Sequence, residues 1–228
     1  MKTIGVITGL RRESVCLSRF PAGSGLRVAC AGANAARARE YASNLIDDGC
    51  DALLSFGVAG GLTPGLQAGV LIIANEVVSP GGHRYSTNES WRSALGRAVI
   101  NHHDVRVAAL AGSDEAVTSL ESKKDLRVRT AAAAVDMESH GVAEAAFEAG
   151  VPFLVLRAVA DPHDRTIPSW VMAGLDDEGN VRAKKMITGL YKNQDDFWEM
   201  LGLAWESRKA MSALRRAAAL VGPGFGLD

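Results

Sequence analysis

Three acidic residues stand where apolar, strand-like stretches of the chain end, and acids in such positions can carry acid–base chemistry. Glu13 follows the first stretch, Glu138 comes two residues after Asp136 at the end of another, and Asp161 closes a third. Because ligands of open α/β sheets bind at the carboxyl ends of strands, these acids can share a cleft. Three acids at three strand ends are together candidates for catalysis. Taken singly, Glu13 and Asp136 also suit the first turn of a helix.

A single arginine lies inside the otherwise apolar run that leads to Asp161. Arg157 would be costly to bury alone, so we expect its guanidinium to have a carboxylate partner in or near the cleft. Pro162 follows Asp161 and should stop the strand there. The run therefore predicts a buried cation and an acid at a fixed strand end.

Three glycines follow the apolar stretch 52–56, and they predict a tight loop at the end of a strand. Gly57, Gly60 and Gly61 allow close approach of the backbone to a ligand. Their spacing is neither the dinucleotide-binding fingerprint nor a phosphate-binding P-loop. On its own the loop is as consistent with a turn as with a ligand contact.

The elements that must position these groups follow from alternating apolar runs and helical patterns. They predict an α/β layered domain with a mixed central sheet flanked by helices. The expected strands are 3–9, 26–30, 52–56, 70–77, 105–111, 132–136 and 153–160, and the expected helices are 33–48, 91–99, 120–127 and 139–149.

The last part of the chain has a different pattern, with no further strand signal. We predict one domain over 1–228, with a sheet core over 1–165 and a helical tail over 166–228. Pro168 and the turn-like stretch 176–180 interrupt the tail, and 197–220 reads as a helix. It suits packing against the core, but Trp198, Trp205 and nearby basic residues would also suit a subunit contact or a membrane surface.

Composition restricts the classes of partner. The 228 residues are 47% hydrophobic with a net charge of -1, so no overall basic field attracts nucleic acid. The three cysteines match no zinc or redox spacing and indicate free thiols in a reducing compartment. No signal peptide or membrane span is evident, which predicts a cytoplasmic protein with peripheral membrane contact left open. The five histidines give no metal spacing.

Four segments in register resemble the nucleoside phosphorylase and nucleosidase superfamily, in the branch of methylthioadenosine/S-adenosylhomocysteine nucleosidase. They are TGLRRE at 8–13, GVAGGL at 57–62, VDME at 135–138 and VPFLVLRAVAD at 151–161. The resemblance implies a three-layer phosphorylase/hydrolase-like fold. The strings LSFG at 54–57, DMESH at 136–140, RAVADP at 157–162 and ALRRA at 213–217 resemble the hopanoid-associated phosphorylase family more closely. That family implies adenosylhopane as substrate, with release of adenine.

The resemblance also implies roles for individual residues. Asp161 would protonate adenine at N7, Glu138 would hold the ribose hydroxyls and Met137 would pack against the sugar. Glu13 matches the nucleosidase position that accepts a proton from water, with Arg157 orienting the site. Hydrolysis is therefore favoured over phosphorolysis, although Arg11 and Arg12 could contact phosphate.

Other positions follow or depart from the family pattern. Ala59, Gly60 and Val117 are assigned to substrate binding, the last through its backbone. Val58 stands where relatives carry a hydroxyl or cysteine, and Ala116 stands where they place an aromatic residue against adenine. The resemblance further predicts a homodimer, no cofactor, and a segment 79–86 that rims the 5′ side of the substrate. Soluble methylthioadenosine or adenosylhomocysteine as substrate, and an inactive nucleoside-binding module, remain the alternatives.

Overall fold

The structure is a computed structural model that describes residues 2–167 and 197–227. Its strands are β1 Ile4–Thr8, β2 Leu26–Cys30, β3 Ala52–Gly61, β4 Leu71–Val78, β5 Arg84–Ser86, β6 Val105–Gly112, β7 Ala134–Asp136 and β8 Phe153–Asp161. Its helices are α1 Arg11–Val15, α2 Ala35–Asp47, α3 Glu89–Val99, α4 Leu120–Thr130, α5 Ser139–Ala149 and α6 Phe197–Val221. Pro168 and the stretch 176–180 lie outside the described residues.

The strands form one mixed sheet, as the sequence predicts. The order along it is β2-β1-β3-β7-β6-β4-β5, and β8 pairs with both β3 and β4. β8 runs parallel to β3 and antiparallel to β4, while β7 runs antiparallel to β3. The pairings β3-β7-β6-β4-β8 thus close into a ring. This arrangement sets the ends of β3, β7 and β8 side by side, with Gly60 next to both Val135 and Asp161.

Helices cover the sheet on both faces and bury two apolar layers. One layer holds α3 and the later turns of α6, where Trp91, Leu95 and Leu214 are buried. The other layer holds α2 and α5, with Ala38 and Val142 at its centre. These layers are why the central strands β1, β3 and β8 consist of nearly continuous apolar residues, since both of their faces are excluded from water.

The predicted glycine loop is wrong, because β3 continues through Gly57 and Gly60 to Gly61. A Cβ atom at Gly57 would lie 2.5 Å from Arg157 Nη1 and 2.6 Å from Glu13 Oε2. Glycine at position 57 therefore makes room for two charged side chains beside the strand. Sequence patterns do not distinguish that use from a turn.

Smaller differences concern element ends. The first helix and β5 were not predicted as elements. Helix α2 begins at Ala35 instead of 33, because Ala33 has a φ of 53° and the Asn34 side chain accepts a hydrogen bond from the Arg37 N–H. Helix α5 is confirmed over 139–149, and the N–H of its first residue, Ser139, donates to Asp136 Oδ1 at 3.0 Å.

The last helix is confirmed, and it packs on the core through Ala210, Leu214 and Ala217. Trp205 on its outer face is 60% exposed. The side chain of Trp198 lies outside the described residues. No described helix is both long and apolar enough to cross a membrane. Peripheral membrane contact and a subunit contact stay predictions.

Two of the three predicted free thiols are buried, at Cys16 and Cys50, and Cys30 is partly exposed. Over residues 2–167 and 197–227, no cluster of His, Cys, Asp and Glu has the geometry to hold a metal ion.

Candidate active site

A cavity of about 330 Å³ opens where β3, β7 and β8 end. Its walls come from the start of α1, the ends of the three strands, the loop before α4 and the first turns of α6. The lining residues are Leu10, Arg12, Glu13, Ala33, Val58, Ala59, Gly60, Glu115, Ala116, Val117, Val135, Asp136, Met137, Glu138, Ala160, Asp161, Ile167, Leu203, Ala204 and Ser207. A volume of this size is within the range of small-molecule sites.

Asp161 lies at the last residue of β8, beside Gly60, with its side chain 11% exposed. Its Oδ2 accepts a hydrogen bond from Lys123 Nζ at 2.6 Å. Burial raises the pKa of Asp161 to about 6, and the Lys123 cation opposes that rise. A carboxyl group with a pKa in this range can exist as the acid near neutral pH, as a proton donor must.

Lys123 was missed in the sequence. It is buried on α4 with Leu126 and Thr130, and its ammonium also donates to the carbonyls of Pro162 and Arg165. The available signal was its spacing of three residues from Leu126, which puts both on one face of a helix whose other positions are mostly charged. A lysine on the buried face of a helix needs an acid partner.

Glu13 lies in the short helix α1, where it is buried. Its Oε2 accepts from the backbone N–H groups of Gly9 and Leu10, each at 2.8 Å, and its Oε1 accepts from the Val58 N–H at 2.9 Å. Burial raises the pKa of Glu13, while Arg157 and the N–H groups oppose the shift. Both oxygens are therefore held by the backbone in one orientation.

Arg157 does not line the cavity; it is completely buried behind it. Its Nε lies 2.6 Å from Asp136 Oδ2 and its Nη2 lies 3.1 Å from Glu138 Oε2. The guanidinium also donates to Ser55 Oγ at 2.6 Å. The sequence predicts one carboxylate partner for Arg157, and the structure gives it two, Asp136 and Glu138. Arg157 therefore contacts two acids of the cavity from behind and does not itself line it.

Glu138 begins helix α5 and lines the cavity. Burial raises its pKa to about 8, with Arg157 opposing the rise and Asp136 adding to it. A Cβ atom at Gly9, the residue after β1, would overlap the Glu138 carboxylate. Glycine at this position therefore leaves the space that Glu138 occupies beside the cavity.

Seven of the eight residues assigned to the site from the sequence lie on one cavity, and only Arg157 lies behind it. The seven are Glu13, Ala59, Gly60, Val117, Met137, Glu138 and Asp161. The segment 79–86 does not line this cavity, contrary to the expectation that it rims the 5′ side. It forms the β4–β5 hairpin at the far edge of the sheet, where antiparallel pairing places it.

Helix α6 adds a wall to the cavity that sequence reasoning did not assign. Leu203, Ala204 and Ser207 line it, together with Ile167. The helix is held there by an ion pair between Arg165 Nη2 and Glu206 Oε1 at 2.8 Å. This wall is largely apolar, in contrast to the acidic residues around Glu138.

The charge of the cavity is unbalanced. Five acidic side chains line it, and Arg12 is the one cationic side chain among the lining residues that the structure describes; the five are Glu13, Glu115, Asp136, Glu138 and Asp161. With pKa values of about 8 for Glu138 and about 6 for Asp161, not all five are ionised near neutral pH. Such a wall favours a ligand that becomes cationic and disfavours a phosphate dianion.

Residues 11–187 match the family model of the phosphorylase superfamily, and the chain belongs to that superfamily. The solved structures it resembles include methylthioadenosine/S-adenosylhomocysteine nucleosidase of Neisseria meningitidis in complex with methylthio-immucillin-A. That chain is 20% identical, with a TM-score of 0.69 over 96% of this chain and 100% of the other.

Two further structures show the same fold. The corresponding nucleosidase of Helicobacter pylori is 21% identical, with a TM-score of 0.68 over 96% of this chain and 98% of the other. The futalosine hydrolase of Helicobacter pylori is 23% identical, with a TM-score of 0.63 over 71% of this chain and 88% of the other. The resemblance to the superfamily seen in the sequence is thereby confirmed.

Proposed function

We propose that this protein hydrolyses the N-glycosidic bond of a 5′-substituted adenosine and releases adenine. The observation that carries the proposal is the meeting of Asp161 and Glu13 on one cavity, each buried and each held by different donors. Superfamily membership supports cleavage of this kind of bond. The nucleosidases and the futalosine hydrolase among the structural neighbours agree with it.

Asp161 is the general acid in this mechanism. Adenine is a poor leaving group as an anion, so a proton delivered to N7 while the bond from C1′ to N9 breaks lowers the barrier. A carboxyl group with a pKa of about 6 supplies that proton near neutral pH.

Glu13 is the general base. Its oxygens are fixed by three backbone N–H groups, and in this position it takes a proton from the attacking water. Glu138 binds the ribose hydroxyls, held by Arg157, and Met137 packs against the sugar. Those acids of the cavity that are ionised stabilise the positive charge that develops on the ribose.

Water is favoured over phosphate as the acceptor because of charge. A phosphate dianion in this cavity would meet Arg12 as the one cation among the described lining residues. Even with Asp161 protonated as the general acid and Glu138 protonated by its raised pKa, three further acids line the cavity, namely Glu13, Glu115 and Asp136. Arg157 is already paired with Asp136 and Glu138 and hydrogen-bonded to Ser55, so its charge is committed to the protein.

We further propose adenosylhopane as the substrate, on the resemblance of DMESH, RAVADP and ALRRA to the hopanoid-associated family. The apolar wall of Leu203, Ala204 and Ile167 supports a large apolar 5′ group, since burying it there removes hydrocarbon from water. The bound hopane skeleton would then extend out of the cavity along α6, toward the exposed Trp205.

The test is product analysis by mass spectrometry with adenosylhopane, methylthioadenosine and adenosylhomocysteine, each with and without inorganic phosphate. We expect adenine and an unphosphorylated ribosyl product whose rate does not depend on phosphate, with the highest kcat/KM for adenosylhopane. A phosphorylated ribosyl product would establish phosphorolysis instead. A higher kcat/KM for a soluble nucleoside would remove the hopanoid assignment and leave bond cleavage intact.

A further inference from the structure

Lys123 is a buried cation just behind the cavity, and the mechanism above does not assign it a role. Its side chain is 1% exposed, and Lys123 is not among the residues that line the cavity. The next residue on α4, Lys124, is exposed. Burying an ammonium is costly unless it is paired and hydrogen-bonded, so the contacts of Lys123 indicate what it does.

The Lys123 ammonium has three N–H donors and three acceptors around it. They are Asp161 Oδ2 at 2.6 Å, the Pro162 carbonyl at 2.9 Å and the Arg165 carbonyl at 2.9 Å. All three acceptors belong to the end of β8 and the turn after it. Lys123 therefore fixes both the carboxyl group and the backbone that carries it.

We propose that Lys123 is a positioning residue that directs the proton of Asp161 to Oδ1 and stabilises the carboxylate left after proton transfer. The inference rests on the proposed function. An ammonium only donates hydrogen bonds, so Oδ2 must accept from Lys123 and cannot itself bear the acidic proton toward it. Oδ1 is then the oxygen that carries the proton to a bound base.

Water is the co-reactant in the proposed step, and all protons and bonds are accounted for. The bond from C1′ to N9 breaks with its electron pair on adenine, and the Asp161 Oδ1 proton passes to N7. Water gives its hydroxyl to C1′ and its proton to Glu13. Asp161 is left as an anion 2.6 Å from the Lys123 cation, which lowers the free energy of the state after transfer. Once the products leave, Asp161 takes up a proton from solvent and Glu13 releases one.

Charges from several elements act on Asp161. Lys123 of α4 lowers its pKa, and Glu206 of α6, which is paired with Arg165, raises it. His163 follows two residues later in the chain. The remaining charged residues that line the same cavity are Arg12, Glu13, Glu115, Asp136 and Glu138. Lys123 is the cation in direct contact, so its removal leaves the burial effect and the acids unopposed and raises the pKa of Asp161.

The experiment compares K123M with K124M, a matched loss of one lysine from the exposed face of the same helix. With the nucleoside of highest kcat/KM, we expect K123M to lose about 30-fold in kcat with little change in KM, which is part of the roughly 10²- to 10⁴-fold that proton transfer contributes. The alkaline limb of kcat/KM against pH should move up by about one unit, because the acid holds its proton to higher pH. K124M should match the wild type in both, and K123R, which keeps the charge, should recover part of the loss.

A double variant separates positioning from a structural role. If Lys123 acts through Asp161, K123M/D161N should be no more than about twofold slower than D161N, since residues that act as a unit are not additive. Where circular dichroism shows that K123M does not fold, K123Q carries the same comparison. An unmoved pH limb, or losses that multiply in the double variant, would overturn the inference. A wild-type protein that releases no adenine, or a D161N variant as fast as wild type, would instead overturn the proposed function.

Discussion

The two carboxylates proposed as base and acid occupy unlike settings on one cavity. Glu13 is held at both oxygens by backbone N–H groups of Gly9, Leu10 and Val58. Asp161 is held at one oxygen by the side chain of Lys123. Backbone donors cannot turn away, so they keep Glu13 as an oriented acceptor. A lysine on one oxygen leaves the other available to carry a proton. In the proposed mechanism two carboxyl groups can thus take different roles because their hydrogen-bond donors differ.

The largest effect is expected from removing the acid. D161N keeps the size of the side chain but cannot deliver a proton, and we expect kcat for adenine release to fall about 10³-fold. The matched control is D164N, on the exposed side of the following turn, which should retain wild-type kcat. A D161N variant whose kcat lies within threefold of the wild-type value would contradict the assignment of Asp161 as the acid and Glu13 as the base.

Removing the base should cost less, because water can attack without assistance once the bond is weakened. For E13Q we expect a drop of about 10²-fold in kcat. The amide also places a donor where a backbone N–H donates now, so unfolding in urea should show a loss of about 1–3 kcal/mol. E40Q, an exposed position on α2, is the control for both measurements. Unchanged kcat in E13Q would point to another base.

Gly57→Ala tests whether activity and stability depend on the space beside Gly57 that Glu13 and Arg157 occupy. The added Cβ would lie 2.6 Å from Glu13 Oε2 and 2.5 Å from Arg157 Nη1, so one of them must move. We expect about a tenfold loss in kcat and about 1–3 kcal/mol in the free energy of unfolding. Gly96→Ala in α3 is the contrast, since its Cβ meets nothing closer than Ile73 Cδ1 at 3.9 Å. That variant should gain about 1 kcal/mol, and a G57A variant that behaves like G96A would contradict the account.

The smallest effect is the start of the pH dependence of the wild type, a loss of about twofold where the pH equals the pKa of Asp161. The Asp161 pKa is about 6 and activity needs its protonated form, so kcat/KM should fall as pH rises through 6. The decline should approach about tenfold for each further unit. The profile is measured by adenine release across pH 5 to 9. The residual activity of D161N should lack this limb, and a limb that persists in D161N would assign it to another group.

The sequence by itself predicts most of the elements and the mixed sheet, because apolar runs covered on both faces and helical periodicity are local signals. It also indicates Glu13, Glu138 and Asp161, since acids at strand ends are visible in the order of residues. Even the need of Arg157 for a partner follows from its apolar neighbours, although the partner's identity does not.

Tertiary structure alone decides which groups face these acids. Lys123 is 38 residues from Asp161 in the chain, and the contact depends on how α4 lies against the end of β8. The apolar wall from α6 and the use of Gly57 inside a strand have the same origin. Such contacts result from packing over long sequence separations, which propensity and spacing do not encode. The acids at the strand ends are thus a local property of the sequence, whereas the hydrogen bonds that distinguish acid from base arise only in the folded protein.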